Sequence, residues 1–244
     1  MPHFFITPDQ IKEKEITVTG GDVRHIRDVL RMKVGDWLTF SDGAEALCYH
    51  AAIAEIGGAA VRCELLYAQA TDHELPVRVC LFQGLAKGDK METVIQKAVE
   101  LGVHEIVPVA TARSVVRLDA KRAAAKRQRW QAISEAAAKQ SMRQVVPLVR
   151  DVTDFAEAVT IGATMDVALI PYELADDFEK TKKIIDSIKV GQSVAVFIGP
   201  EGGFTAAEIE LAAGAGMKAV TMGRRILRTE TAALVILSWL IYTS

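Results

Sequence analysis

Two segments near the end of the sequence place glycines, arginines and carboxylates where a ligand could bind. The first, VAVFIGPEGGFTAAEI at 194–209, predicts a buried strand ending at Ile198 and a helix beginning at Thr205. The glycines between them let backbone approach a ligand closely, and the amino terminus of the helix favours negative groups. Glu208, three residues after Thr205, completes a capping-box pattern. The segment therefore predicts a ligand site, with an ordinary tight turn as the alternative.

The second segment, AVTMGRRILRTETAA at 219–233, predicts a strand ending at Met222, a loop, and a final helix from about Thr229. Three arginines stand within five residues of this loop: Arg224, Arg225 and Arg228. Unpaired buried guanidinium groups are costly, so these side chains are expected in solvent or against carboxylates or phosphates. The known phosphate-loop and dinucleotide fingerprints are absent from the sequence, which disfavours an NTPase or a nicotinamide oxidoreductase.

Strands that alternate with helices are expected to position both segments. The pattern predicts strands at 77–85, 105–109, 166–170, 193–198 and 219–222, and helices at 89–101, 121–142, 178–188, 205–215 and 229–242. Such alternation indicates an α/β domain with a mainly parallel sheet, whose ligands bind beyond the carboxyl ends of strands. Residues 1–72 instead predict a small β-barrel-like module, with strands at 4–6, 15–18, 37–40, 46–56 and 60–67 and one helix at 25–32 that starts near Asp22. We therefore expect two domains, 1–72 and 73–244, joined near residues 73–76.

Charge and composition narrow the class of protein. Half of the 244 residues are hydrophobic and a quarter are charged, as in an ordinary globular protein. The net charge of −2 divides into about −4 for 1–72, +7 for 73–150 and −5 for 151–244, so the middle third is a candidate contact for a polyanion, or else a set of solvated helix faces. Three cysteines without C-x-x-C spacing predict buried reduced thiols in a cytoplasmic protein. The apolar stretch 232–242 is too short for a membrane span and predicts a buried helix or a subunit interface.

The two C-terminal motifs, IGPEGGF and MGRRILRTETA, closely resemble the signatures of the SPOUT class of methyltransferases. They are most similar to the bacterial 16S ribosomal RNA (uridine-N3) methyltransferases, the RsmE family. The resemblance extends over essentially the whole chain, with further matches at His25 with VLR at 29–31, KGDKME at 87–92, QKAVELG at 96–102, RSV at 113–115 and QSMR at 140–143. Met222 stands where leucine is frequent in the family, which is a volume-conserving exchange.

The resemblance implies a PUA-like RNA-binding domain at 1–72 and a SPOUT domain at 73–244 that ends in a trefoil knot. It also implies a homodimer that acts on 16S ribosomal RNA or the small ribosomal subunit. The composition predicts a cytoplasmic protein without a membrane span, and no metal is expected because the methyl donor is already activated. S-adenosyl-L-methionine is expected in the knot. Its implied binding residues are Pro171, Tyr172, Gly199, Pro200, Glu201, Gly202, Met222, Gly223, Leu227, Arg228, Thr229, Thr231 and Ala232, with Glu173 beside Tyr172 in the same wall.

Methylation at uridine N3 requires loss of the N3 proton, which suggests roles for three residues. An arginine stabilises the negative charge that develops on the base, and a carboxylate accepts the proton. We expect Arg228 in the first role and Glu201 or Glu230 in the second, although Glu201 could instead order its loop and Glu230 favour the helix terminus. RNA contacts are expected from Arg24, His25, Arg27, Arg31 and Arg113, and some from the basic helix at 121–130.

Two other functions fit the same sequence features. The first is a SPOUT methyltransferase with a different target, either a ribose 2′-OH or a guanine. The second is an RNA-binding ribosome-assembly factor without catalytic activity, which would bind RNA and show no turnover. The intact glycines and Arg228 favour an enzyme over this second alternative.

Overall fold

The computed structural model describes residues 1–43, 47–71, 73–172, 175 and 177–243. The chain forms two compact units. The first comprises Met1–Glu74 together with Ala138–Val146, and the second comprises Leu75–Ala137 together with Pro147–Ser244. The segment 138–146, which the sequence pattern places in the second domain, therefore belongs to the first unit.

The first unit is a single sheet folded around one apolar core. Its strands run in the order β1-β4-β5-β6-β3-β2, and all the pairings described are antiparallel except that of β1 with β4. The strands are β1 (His3–Phe5), β2 (Ile11–Lys12), β3 (Glu15–Thr19), β4 (Trp37–Ser41), β5 (Leu47–Ile56) and β6 (Ala60–Ala70). Phe4, Ile16, Ile26 and Phe40 are among the buried side chains of the core. β5 agrees with the expected strand 46–56, whose first residue, Ala46, lies outside the described residues, and β6 extends three residues beyond the expected end at Tyr67.

The predicted helix at 25–32 is only partly correct. The structure has a short α1 (Gly21–Arg24) followed by a π-helix over His25–Val29, with a 3-10 helix at Pro8–Gln10 earlier in the chain. Arg31 adopts a positive φ of 53°, which a helix cannot continue through. The helical segment therefore ends about three residues earlier than the apolar spacing of the sequence predicted.

A buried ion pair explains why Ala138–Val146 belongs to the first unit. The side chain of Arg143 is 3% exposed and pairs with Glu74, and its Nε donates to Glu74 Oε1 at 3.1 Å. Thr71 Oγ1 donates to Gln144 Oε1 at 2.8 Å. A buried guanidinium requires such a partner, and no local sequence pattern indicates a partner about 70 residues away.

The second unit is a parallel sheet with helices. Its strand order is β10-β8-β7-β12-β11-β13, with β9 also paired to β8, and every pairing described is parallel. The strands are β7 (Arg78–Gly84), β8 (Glu105–Ala110), β9 (Leu148–Val149), β10 (Thr153–Asp154), β11 (Val167–Pro171), β12 (Ser193–Ile198) and β13 (Lys218–Val220). The helices are α2 (Lys90–Glu100), α3 (Ala120–Gln140), α4 (Phe155–Gly162), α5 (Phe178–Asp186), α6 (Ala206–Gly214) and α7 (Thr229–Thr243). The mixed α/β fold with a parallel sheet was predicted correctly, whereas α4, β9 and β10 were missed.

The centre of this sheet is apolar on both faces, as expected for parallel strands covered by helices. β7 and β12 are adjacent and buried, and the rings of Phe82 and Phe197 stack with centroids 4.4 Å apart. All three cysteines are buried and free, as predicted, and burial raises the pKa of the Cys63 thiol to about 12. In the part of the chain described here, no helix is both long and apolar enough to cross a membrane.

Candidate active site

The two glycine- and arginine-rich loops meet at one cavity of about 340 Å³ at the carboxyl ends of β11 and β12. Parallel sheets bind ligands at this edge because loops from neighbouring strands converge there. The lining residues are Lys90, Pro171, Ile198, Gly199, Pro200, Glu201, Gly202, Gly203, Phe204, Met222, Ile226, Leu227, Arg228, Thr229 and Ala232.

One wall of the cavity, the glycine wall (residues 199–204), is backbone held in close contact with its neighbours. A Cβ added to Gly84 would lie 2.6 Å from Pro200 N, and one added to Gly199 would lie 3.1 Å from the Cα of Gly203. Gly203 has a positive φ of 64°. Gly84 is required because Pro200 approaches more closely than any side chain permits, Gly199 leaves little room for one, and Gly203 is favoured by its backbone conformation.

A buried hydrogen-bond relay fixes this wall from behind. Thr229 is 4% exposed, and its hydroxyl donates to Gly199 O at 2.6 Å. The hydroxyl oxygen of Thr229 in turn accepts a hydrogen bond from Gln83 Nε2 at 2.9 Å, and this amide also donates to Gly84 O. Gln83, at the end of β7, is fully buried. The relay connects β7, the loop after β12 and the start of α7.

The helix that follows the glycine wall begins with the predicted capping box. Thr205 Oγ1 accepts from the amide of Glu208 at 3.2 Å, and Glu208 Oε2 accepts from the amide of Thr205 at 2.8 Å. The second oxygen of Glu208 accepts from the amide of Ala112 at 2.8 Å, which also ties the loop after β8 to α6. Arg113, in that loop, donates to Gly202 O at 3.0 Å.

A Lys–Glu ion pair lies at the cavity lining. Lys90 Nζ is 2.9 Å from Glu201 Oε1, which also accepts from the amide of Lys87 at 3.0 Å. Partial burial by itself raises the pKa of the Glu201 carboxyl, but the hydrogen bonds from Lys90 and from backbone amides outweigh it and hold this pKa below its usual range. Glu201 is therefore an ionised and comparatively weak base.

The arginine loop (residues 223–228) contributes Ile226, Leu227 and Arg228 to the cavity lining and is mostly exposed. Gly223 begins it with a φ of 95°, and Ile226 is 90% exposed. Arg228 lines the cavity, and its side chain forms no hydrogen bond or ion pair with any part of the chain that the structure describes. Among the described residues, the Arg228 guanidinium is therefore unpaired.

Most residues predicted to bind the cofactor line this cavity. Tyr172 and Gly223 instead line an adjacent cavity of about 110 Å³ that shares Met222 and Leu227, while Thr231 is exposed and lines neither.

Glu230 is outside the lining of either cavity, and its Oε2 is buried without a hydrogen-bond partner among the described residues. Glu173 lies outside the described residues. Sequence reasoning missed Lys90, Ile198, Gly203, Phe204 and Ile226 as lining residues.

The residues predicted to contact RNA fall in both units. In the first unit Arg24, His25, Arg27 and Arg31 are exposed on or next to the π-helix, where Arg27 Nε donates to Asp28 at 2.8 Å. In the second unit Arg113 is exposed beside the glycine wall. Among the described residues there is no group of three or more His, Cys, Asp or Glu side chains that could hold a metal ion.

Comparison with known proteins assigns the family. Residues 73–241 match the family model described as an RNA methyltransferase domain. The chain is 39% identical to ribosomal RNA small subunit methyltransferase E of Bacillus subtilis, over 99% of this chain and 96% of that protein. It belongs to this methyltransferase family. The enzyme of the same name from Synechocystis is 30% identical over 96% of this chain and 75% of that protein.

A solved structure agrees with this assignment along nearly the whole chain. The ribosomal RNA small subunit methyltransferase E from Neisseria gonorrhoeae, bound to S-adenosyl methionine, superposes with a TM-score of 0.84 at 33% identity. The match covers 98% of this chain and 95% of that one. The chain is therefore a ribosomal RNA methyltransferase, and both of its units have counterparts in a relative solved with bound cofactor.

Proposed function

We propose that this enzyme transfers a methyl group from S-adenosylmethionine to N3 of a specific uridine in 16S ribosomal RNA. The observation that carries the proposal is the cavity that the two family motifs form together, with a backbone wall on one side and an available arginine on the other. The cofactor is the one bound to the Neisseria relative.

The cavity fits this cofactor in size and chemistry. Its volume of about 340 Å³ lies within the range of small-molecule sites. Apolar side chains such as Phe204, Met222 and Leu227 suit a flat adenine ring, and backbone groups of the glycine wall suit its polar edge. Pro171, Tyr172, Gly223, Thr231 and Ala232 complete the proposed binding set together with the other predicted lining residues. When bound, the cofactor supplies an activated methyl group, so no metal is required.

The protein residues position the base and handle its charge. Arg228, exposed at the cavity and without a side-chain partner among the described residues, stabilises negative charge on a uridine oxygen as N3 loses its proton. Glu201 or Glu230 accepts this proton. Glu201 lines the cavity but is held by Lys90, whereas Glu230 lies outside the lining and has one carboxylate oxygen without a partner among the described residues.

We further propose a trefoil knot at the end of the second unit. β13 is at the edge of the sheet beside β11, yet the chain after it returns to the centre, where Thr229 contacts Gly199 and Gln83. A return of this kind takes the arginine loop past the loop after β12. In the first unit, the curved sheet around one core supports a PUA-like barrel that binds RNA through Arg24, His25, Arg27 and Arg31.

The enzyme is proposed to work as a cytoplasmic homodimer. An apolar groove of about 280 Å³ between α5 and α7 is lined by Phe178, Ile185, Trp239 and Tyr242, among others. Phe178 is 50% and Tyr242 90% exposed, and because both border the same apolar groove they form a contiguous patch of the kind that another protein surface covers. Replacing Tyr242 by Lys should shift the sedimentation coefficient from that of a dimer to that of a monomer; a wild-type monomer at micromolar concentration would contradict the dimer.

The decisive test is methyl transfer from labelled S-adenosylmethionine to small ribosomal subunits from cells that lack this activity, followed by nucleoside analysis. We expect N3-methyluridine at one site. A 2′-O-methylated nucleoside or a methylguanosine would instead identify a different target for the same fold. RNA binding without transfer, despite demonstrated cofactor binding, would indicate an assembly factor and contradict the proposal.

A further inference from the structure

A second surface of the methyltransferase unit has the shape and charge of a nucleic-acid contact. We infer that a groove on α3, here called the α3 groove and lined by Leu118, Arg122, Ala125, Lys126 and Arg129, binds the RNA strand that flanks the target uridine. The inference rests on the proposed function, because it assumes that RNA is the substrate. The volume of the groove is about 300 Å³.

The α3 groove combines an apolar floor with a cationic rim. Leu118 and Ala125 form the floor together with the methylene stems of the long side chains, and the three cations form the rim. Helix α3 carries six Lys or Arg residues and a single carboxylate, Glu135. A sugar–phosphate strand fits such a groove because bases contact apolar surface while phosphates pair with cations.

The cations of the rim are only partly neutralised within the protein. Glu92 accepts from Arg129 at 2.8 Å and lies 3.9 Å from Lys126, so one carboxylate serves two cations. Arg122 is 3.5 Å from Asp119, but both side chains are more than half exposed. Exposed pairs of this kind are weak, so a phosphate can replace the carboxylate at little cost.

The position of the α3 groove relates it to the active-site cavity. Lys90, the first residue of α2, lines the cavity, and Glu92, in the same first turn, contacts the groove cations. One turn of α2 therefore separates the two sites. An RNA whose target base enters the cavity has its neighbouring nucleotides over this turn.

The test compares charge and shape variants of the α3 groove with a matched control on the same helix. Arg122→Gln removes one rim charge, and Ala125→Leu fills the floor without a change of charge; both residues are exposed, so the fold should survive. Arg127→Gln is the control, because Arg127 pairs with Asp151 and does not line the groove. Binding is measured by fluorescence anisotropy with protein-free 16S ribosomal RNA over a range of salt concentrations.

We expect Arg122→Gln to weaken binding several-fold and to reduce the slope of log affinity against log salt by about 0.7 to 0.9, as for one lost phosphate contact. Ala125→Leu should weaken binding with the slope unchanged, and S-adenosylmethionine affinity should stay constant in both. Equal effects of Arg122→Gln and Arg127→Gln on RNA affinity, or no effect of Ala125→Leu, would contradict the proposal that the α3 groove binds RNA. Variants that impair methylation of assembled subunits only, with RNA affinity intact, would indicate an acidic protein partner and also overturn it. Because binding is read without turnover, failure of the methylation reaction would refute the proposed function and leave the groove separately testable.

Discussion

The glycine wall and the arginine loop, which both line the active-site cavity, differ in how firmly the rest of the protein fixes them. The glycine wall is fixed by backbone packing, by the buried Thr229 relay and by the Glu208 capping box. The arginine loop is exposed, begins at a positive-φ glycine and presents the Arg228 side chain without a partner among the described residues. A wall fixed by packing and by hydrogen bonds from behind can hold a cofactor in one geometry, whereas a guanidinium without a partner among the described residues can respond to charge that develops on a substrate. We therefore expect the glycine wall to bind the cofactor and Arg228 to act on the substrate during methyl transfer.

The largest effect that tests this separation is expected from Arg228→Ala. Loss of a donor that stabilises developing charge should slow turnover by roughly 10²–10³-fold, or about 2.7–4 kcal/mol of barrier. The affinity for S-adenosylmethionine should change little, because the glycine wall remains intact. Single-turnover methylation together with calorimetric titration of the cofactor measures the two quantities. Arg224→Ala, an exposed arginine of the same loop that does not line the cavity, is the control, and equal losses of rate and affinity in Arg228→Ala would refute the separation.

The next effect concerns the stability of the glycine wall. Thr229→Val preserves volume but leaves the half-buried Gly199 O without this donor, and it removes one of the two acceptors of the buried Gln83 Nε2 amide, the other being Gly84 O. Buried unsatisfied groups cost about 1–3 kcal/mol each, so the free energy of unfolding should fall by at least about 1 kcal/mol. Urea denaturation measures this loss, and Thr229→Ser, which keeps the hydroxyl, should recover most of it.

A double-mutant cycle sharpens the same prediction. If Gln83 and Thr229 act as one relay, Gln83→Leu and Thr229→Val should be non-additive by about 0.5–3 kcal/mol. Additive losses would show that the two residues stabilise the unit independently.

The sequence predicted the parts of this site that depend on local patterns. Ile198 ends an apolar strand, glycines follow, and Thr205 with Glu208 stands at capping-box spacing, so the strand, turn and helix of the glycine wall were all predictable. Arg228 was predictable as a candidate because burying three arginines of one short loop without partners would be costly. Local rules were sufficient wherever the structure is determined by neighbours in sequence.

The parts that were missed depend on distant partners. Lys90 and Glu201 are 111 residues apart, and nothing near either one indicates the ion pair. Arg143 has the sequence context of an exposed cation, but its buried contact with Glu74 places 138–146 in the first unit. The short helix α4, with the sequence FAEAVTIG, was missed because its apolar content and β-branched residues obscure a helical period.

The smallest predicted effect concerns acid stability at the glycine wall. Because the pKa of Glu201 is lower in the folded protein than in the unfolded chain, its ion pair stabilises the fold at neutral pH, and this contribution is lost as pH falls through the folded pKa. Glu201→Gln should therefore be less stable than wild type by at most about 1 kcal/mol near neutrality, with the gap closing below about pH 4. Urea denaturation across this pH range measures the gap, and a constant gap would show that the Lys90 pair contributes nothing.

The same variant decides the proton acceptor: turnover slowed by about 10²-fold or more would assign that role to Glu201, and an unchanged turnover rate would leave it to Glu230.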